Sequence, residues 1–221
     1  MSKTVFLDDP RYYVPERCRA NVHMVEIDLS LPHSYDVEEL REFPGAGKFS
    51  APLLYIPRPK GRPEHNGLWL KMAAANGKSW IGVFAFGHSR AFSRVVSTFD
   101  TDRVCVVSQG AGYIVKPNEP EAWEAIPVDP VTDVRSIPED KLLVFADFCQ
   151  LAAYGGSGLI WRSPRVCWDE LKIVSVTPDT IEGTGYDPTN SITPQSRFIV
   201  DLKTGRSLLP APLSIDGKQI W

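Results

Sequence analysis

Seven residues stand out for the chemistry their types could support: Trp161, Arg162, Arg165, Trp168 and Asp169 in one run, with His88 and Arg90 upstream. The run 161–170 reads WRSPRVCWDE, with two tryptophans, two arginines, a cysteine and two carboxylates. Flat rings that exclude water around a guanidinium are the composition of binding hot spots. The same residues also suit a purely structural role. Tryptophans bury large apolar areas, and Arg162 or Arg165 could pair with Asp169 or Glu170 across a strand connection. Cys167 becomes a nucleophile only if a base lowers its pKa, and Cys149 shares that requirement. No histidine follows His88, so a base would have to come from the first half of the chain. The alternative is a pair of buried, inert thiols.

His88-Ser89-Arg90 follows the apolar run WIGVFAFG. A His and a Ser adjacent along a backbone point in different directions, so they are not a ready dyad, and the chain has no G-x-S-x-G elbow. His88 and Arg90 could line an anion-binding loop; a plain strand-end turn is the other reading. His23, His33, His65 and His88 are scattered without HxH or HExxH spacing, which predicts no metal site. Asp100-Thr101-Asp102 lacks the ligand count of a calcium loop. Gly110-Ala111-Gly112 and Gly155-Gly156-Ser157-Gly158 lack the helix and the Lys-Ser/Thr of a phosphate loop, so both are expected to be hairpin turns and no cofactor is predicted.

The elements that would carry these residues are short. Nineteen prolines against sixteen glycines argue against long helices. Apolar runs separated by Gly, Asp, Pro and Ser recur along residues 68–202, giving roughly a dozen strands at the spacing of all-β domains. Asn76-Gly77-Lys78 reads as a type I′ hairpin turn. Upstream, strands are expected over 22–29 and 52–57. One short N-terminal helix is predicted over 34–40, where Ser34 or Asp36 could cap and Glu38 and Glu39 occupy the first turn. The predicted fold class is all-β, an antiparallel meander of short hairpins, propeller-like or sandwich-like. Residues 1–60 form an N-terminal extension packed on a body of residues 61–221, in what reads as one structural unit.

The turn Asp201-Leu202-Lys203-Thr204-Gly205 is a D-x-x-T-G sequence that resembles the blade-ending turn of pyrroloquinoline-quinone-type β-propellers. Residues 154–161, YGGSGLIW, look like a looser copy. In that family a tryptophan stands four residues after the glycine; here Leu209 holds that place in one copy, and Trp161 comes a residue early in the other. The resemblance implies a meander of blade-like sheets and carries nothing about quinone binding. The pattern LLVFADF–AYG–GLIWRSPRVCWDELKI also resembles a family of uncharacterised bacterial proteins, which implies a stand-alone cytoplasmic bacterial protein and brings no activity with it.

A net charge of −3 gives no reason to expect non-specific binding to nucleic acid, which needs a concentrated basic surface. No window approaches the roughly 18 apolar residues of a membrane helix, and the charged, proline-broken start is not that of a signal peptide. Four widely spaced cysteines fit reduced cytoplasmic thiols better than a disulfide scaffold. The expected function is a non-catalytic binding or interaction protein of the bacterial cytoplasm with another protein as partner, an immunity-type role being one version. Two alternatives stand beside it. One is a hydrolase assembled from His88, Asp147, Cys167 and Asp169. The other is a structural subunit whose exposed strand edges pair into a homo-oligomer.

Overall fold

The structure, a computed structural model, describes residues 25–40, 51–60, 66–88, 92–189 and 194–209. Sixteen strands and no helix occur among them. In chain order they are β1 (Glu26–Asp28), β2 (Asp36–Glu39), β3 (Leu53–Ile56), β4 (Gly67–Ala73), β5 (Ser79–Ala85), β6 (Arg94–Ser97), β7 (Val104–Ser108) and β8 (Ala111–Val115). Then come β9 (Trp123–Ala125), β10 (Asp133–Ile137), β11 (Leu142–Ala146), β12 (Leu151–Gly155), β13 (Gly158–Arg162), β14 (Asp169–Val176), β15 (Thr180–Tyr186) and β16 (Gln195–Asp201).

They form four sheets in the orders β2-β4-β5-β3, β1-β6-β7-β8-β9, β10-β11-β12-β13 and β14-β15-β16. Pairing is antiparallel except where β1 joins β6 and β3 joins β5. Three apolar cores separate the four sheets. Leu70, Met72 and Phe84 of the first meet Val104 and Val106 of the second. Cys105 and Val107 of the second meet Leu143 and Phe145 of the third. Val144 and Ala146 of the third meet Ile173, Ile181 and Phe198 of the fourth.

This layering explains the two sequence patterns. Strands of the middle sheets are covered on both faces, so VCVVS and LLVFA are continuous apolar runs in which odd and even positions enter different cores. The fourth sheet is covered on one face. Its β14 accordingly alternates, with Leu171 and Ile173 inward and Lys172 and Val174 outward. Removing a fully buried ring such as Phe145 or Phe198 to alanine costs about 3–5 kcal/mol. Among the described residues the sheets do not close into a barrel.

The short helix expected over 34–40 is instead strand β2. Its acidic residues suit a helix start, but tertiary pairing decides: Val37 lies opposite Met72 and Glu38 opposite Lys71, whose Nζ is 3.7 Å from Glu38 Oε2. Tyr35 is buried just before it and donates its hydroxyl to Arg103 O at 2.8 Å. The strand expected over 22–29 is seen as β1, residues 22–24 lying outside the described residues.

The Asn76-Gly77 turn is not type I′, because Gly77 alone has positive φ (77°) and Ala74 N donates to Lys78 O, the longer loop with a glycine bulge. The two-residue turn with both φ positive is Gln109-Gly110 (46° and 89°), joining β7 to β8. Residues 155–158 make the β12–β13 hairpin as expected.

Candidate interaction surface

The run 161–170 splits between core and surface. Trp161 is buried at the end of β13, in the core between the third and fourth sheets. Its Nε1 donates to Leu202 O at 2.8 Å, and its ring covers Gly205. Arg162, exposed on the alternate face, donates through Nη2 to Pro127 O. Arg165 folds over its own segment, donating from Nε to Cys167 O at 3.1 Å and from Nη2 to Trp168 O at 2.7 Å. Its guanidinium carbon stands 5.9 Å from the Trp168 ring centroid, a cation–π approach. Arg165 and Trp168 also take part in further contacts.

The ion pair expected between these arginines and Asp169 or Glu170 is absent among the described residues. Asp169 Oδ1 instead accepts the Glu170 N–H at 2.7 Å. Glu170 has φ +54° where the β14–β15 register shifts, at a β-bulge.

Backbone hydrogen bonds gather three turns around Trp168. The β11–β12 turn is shaped by Asp147, whose Oδ1 accepts the N–H groups of Cys149 (2.7 Å) and Gln150 (2.6 Å). That turn meets the β13–β14 connection through Val166 N to Cys149 O (2.8 Å) and Leu171 N to Phe148 O (3.1 Å). Trp168 N donates to Tyr186 O at 2.9 Å, at the end of β15. Phe148 (48% exposed), half-buried Trp168 and Tyr186 (40% exposed) thus stand at one junction, with Arg165 over the Trp168 ring. Aromatic rings beside an arginine have the composition of the centre of a protein contact. Phe148 and Tyr186 were not legible as site residues. Each reads as an ordinary aromatic at a strand end, and only the pairing of separate turns brings them beside Trp168.

The thiols nearby are held neutral. Burial, then Asp147, pushes Cys149 up to about 11, and burial with the neighbouring Cys149 pushes Cys167 up to about 12. Neither is an activated nucleophile at neutral pH.

His88 is exposed, and its Nδ1 is 3.8 Å from Asp129 Oδ1. That carboxylate opposes the anion-binding role considered for the loop, and Arg90 lies outside the described residues. His33 bonds Leu31 O through Nδ1 at 2.8 Å, while His23 and His65 fall outside the described residues. Among the described residues no three His, Cys, Asp or Glu side chains converge as a metal would require. No helix there is long and apolar enough to cross a membrane. An open groove of about 320 Å³ lies between β3 and the β8–β9 connection, with the exposed Arg58–Glu121 pair (3.4 Å) in its lining. None of the six described candidate residues, Trp161, Arg162, Arg165, Trp168, Asp169 and His88, lines it.

The chain matches no protein-family model and none of the curated proteins.

Proposed function

We propose that this protein is a non-catalytic binding protein of the bacterial cytoplasm that holds a protein partner on the surface formed by Phe148, Trp168 and Tyr186. The observation that carries this reading is the exposure of two aromatics, Phe148 and Tyr186, beside a tryptophan already stacked with an arginine. Aromatic and arginine side chains at the centre of a contact supply most of its binding energy when water is excluded. The junction is also stiff, because hydrogen-bonded turns from the third and fourth sheets fix it, so little ordering cost opposes association. In its narrowest form the partner is a toxin that the surface covers, an immunity-type role. The four successive sheets are read as an open, propeller-like array that presents this junction.

The test is a photo-crosslinking amino acid placed at position 148, 186 or 174 in protein made in its own host cells. Val174 is 71% exposed on the outer face of the fourth sheet and serves as the control. One shared adduct from positions 148 and 186, absent from 174, is expected. Adducts indistinguishable between all three, or none at 148 and 186, would overturn the reading.

A further inference from the structure

Beneath the aromatic junction lie two thiols on facing segments. Both are free, and both belong to the core between the third and fourth sheets. Cys149 is half-buried and Cys167 fully buried. Their backbones run side by side: Val166 N donates to Cys149 O at 2.8 Å, and the Cys167 Sγ lies 3.5 Å from Phe148 O, one peptide unit from Cys149. Each cysteine is thus one residue from a bonded contact between the two segments, Cys167 following Val166 and Cys149 following Phe148. A disulfide needs Cα atoms about 4.4–6.8 Å apart, and here it would close across a one-residue offset between bonded segments. The Cys167 thiol also rests on the bare Cα of Gly185, where a Cβ would fall 2.4 Å from its sulfur, so it is closely packed on that side. Cys105 belongs to a different core.

We propose that Cys149 and Cys167 are a dithiol that closes to an intramolecular disulfide when a small-molecule disulfide is the oxidant. The Cys149 thiolate attacks one sulfur of the oxidant, forming a mixed disulfide and expelling one small thiolate, which takes up a proton. The Cys167 thiolate then attacks the Cys149 sulfur and expels the second small thiolate. Two protein thiols are oxidised, one small disulfide is reduced to two thiols, and no other reactant is needed. Cys149 is the entry point because it is the more exposed of the two. The raised thiol pKa values make the exchange slow at neutral pH and faster in mild alkali. The bond ties the Phe148 turn to the β13–β14 connection. It does not depend on what binds above it.

The experiment equilibrates the folded full chain with glutathione buffers of rising oxidised fraction, quenches with acid, alkylates and maps the peptides by mass spectrometry. Alkylation of Cys149 and Cys167 is expected to be lost together, with a linked 149–167 peptide in its place. In Cys167→Ser, Cys149 is expected to accumulate as the glutathione mixed disulfide instead. A stable mixed disulfide on Cys149 in the unaltered protein, with Cys167 still alkylated, would overturn the proposal. So would linkage of Cys149 to Cys18, or a 149–167 link that forms only in urea.

Discussion

The indole of Trp161 lies against the bare Cα of Gly205, so close that a Cβ there would fall 2.5 Å from Trp161 Cε3. The same indole donates its N–H to Leu202 O at 2.8 Å. One residue of the third sheet thereby clasps the terminal turn of the fourth. Asp201 closes that turn by accepting both the N–H (2.8 Å) and the hydroxyl (2.6 Å) of Thr204, and Gly205 completes it with φ +71°. The most conspicuous tryptophan of the run is therefore a clamp between sheets.

Gly205→Ala is expected to be destabilising on two grounds, a left-handed backbone and a collision with a buried ring. The backbone term is about 1–2 kcal/mol, and overpacking adds about 1–3 kcal/mol. Trp161→Ala empties the same contact from the other side at about 3–5 kcal/mol. Urea unfolding of both variants checks this, and a Gly205→Ala midpoint equal to that of the parent protein would count against the clamp.

The Asp201 carboxyl is held below its ordinary pKa, first by the Thr204 hydroxyl and then by the Thr204 N–H. Its folded value is depressed, so its contribution to stability is present above about pH 4 and is lost as pH falls through the folded value. Carboxyl NMR is expected to show Asp201 titrating higher in Thr204→Val than in the parent protein.

Alkaline behaviour follows the opposite sign. Burial raises Cys105 to about 12, and Tyr113 and Tyr154 also to about 12. A group whose folded pKa is raised leaves stability intact below the unfolded value, about 8.5 for a thiol, and removes it as pH climbs toward the folded one. Melting temperature is expected to fall from about pH 9 upward, with a shallower slope in Cys105→Ala. An identical slope in the two proteins would show that Cys105 does not carry that pH dependence.

The strand pattern was legible wherever a sheet is buried on both faces, because runs such as VCVVS and LLVFA need no partner to be recognised. It failed where pairing overrides local preference. Residues 36–39, rich in acids, form a strand because β4 lies beside them, and the three-residue β9 gives no periodic signal. The run 161–170 was legible as a concentration of aromatics and arginines. Which of its rings faced the core was not, since that depends on the Gly205 turn some forty residues later. Phe148 and Tyr186 join Trp168 only through bonds between distant segments, which one-dimensional spacing cannot express.

The surface residues are expected to separate binding from stability. Phe148→Ala and Tyr186→Ala, at 48% and 40% exposure, should each change unfolding free energy by less than about 1 kcal/mol. The decisive measurement is the dissociation constant of the crosslinked partner for the parent protein, for these two variants and for Val174→Ala. Loss of about tenfold or more in affinity for each aromatic variant, with Val174→Ala unchanged, is the expected result. Affinity that stays within about twofold of the parent for both aromatic variants would contradict a binding surface at Phe148, Trp168 and Tyr186.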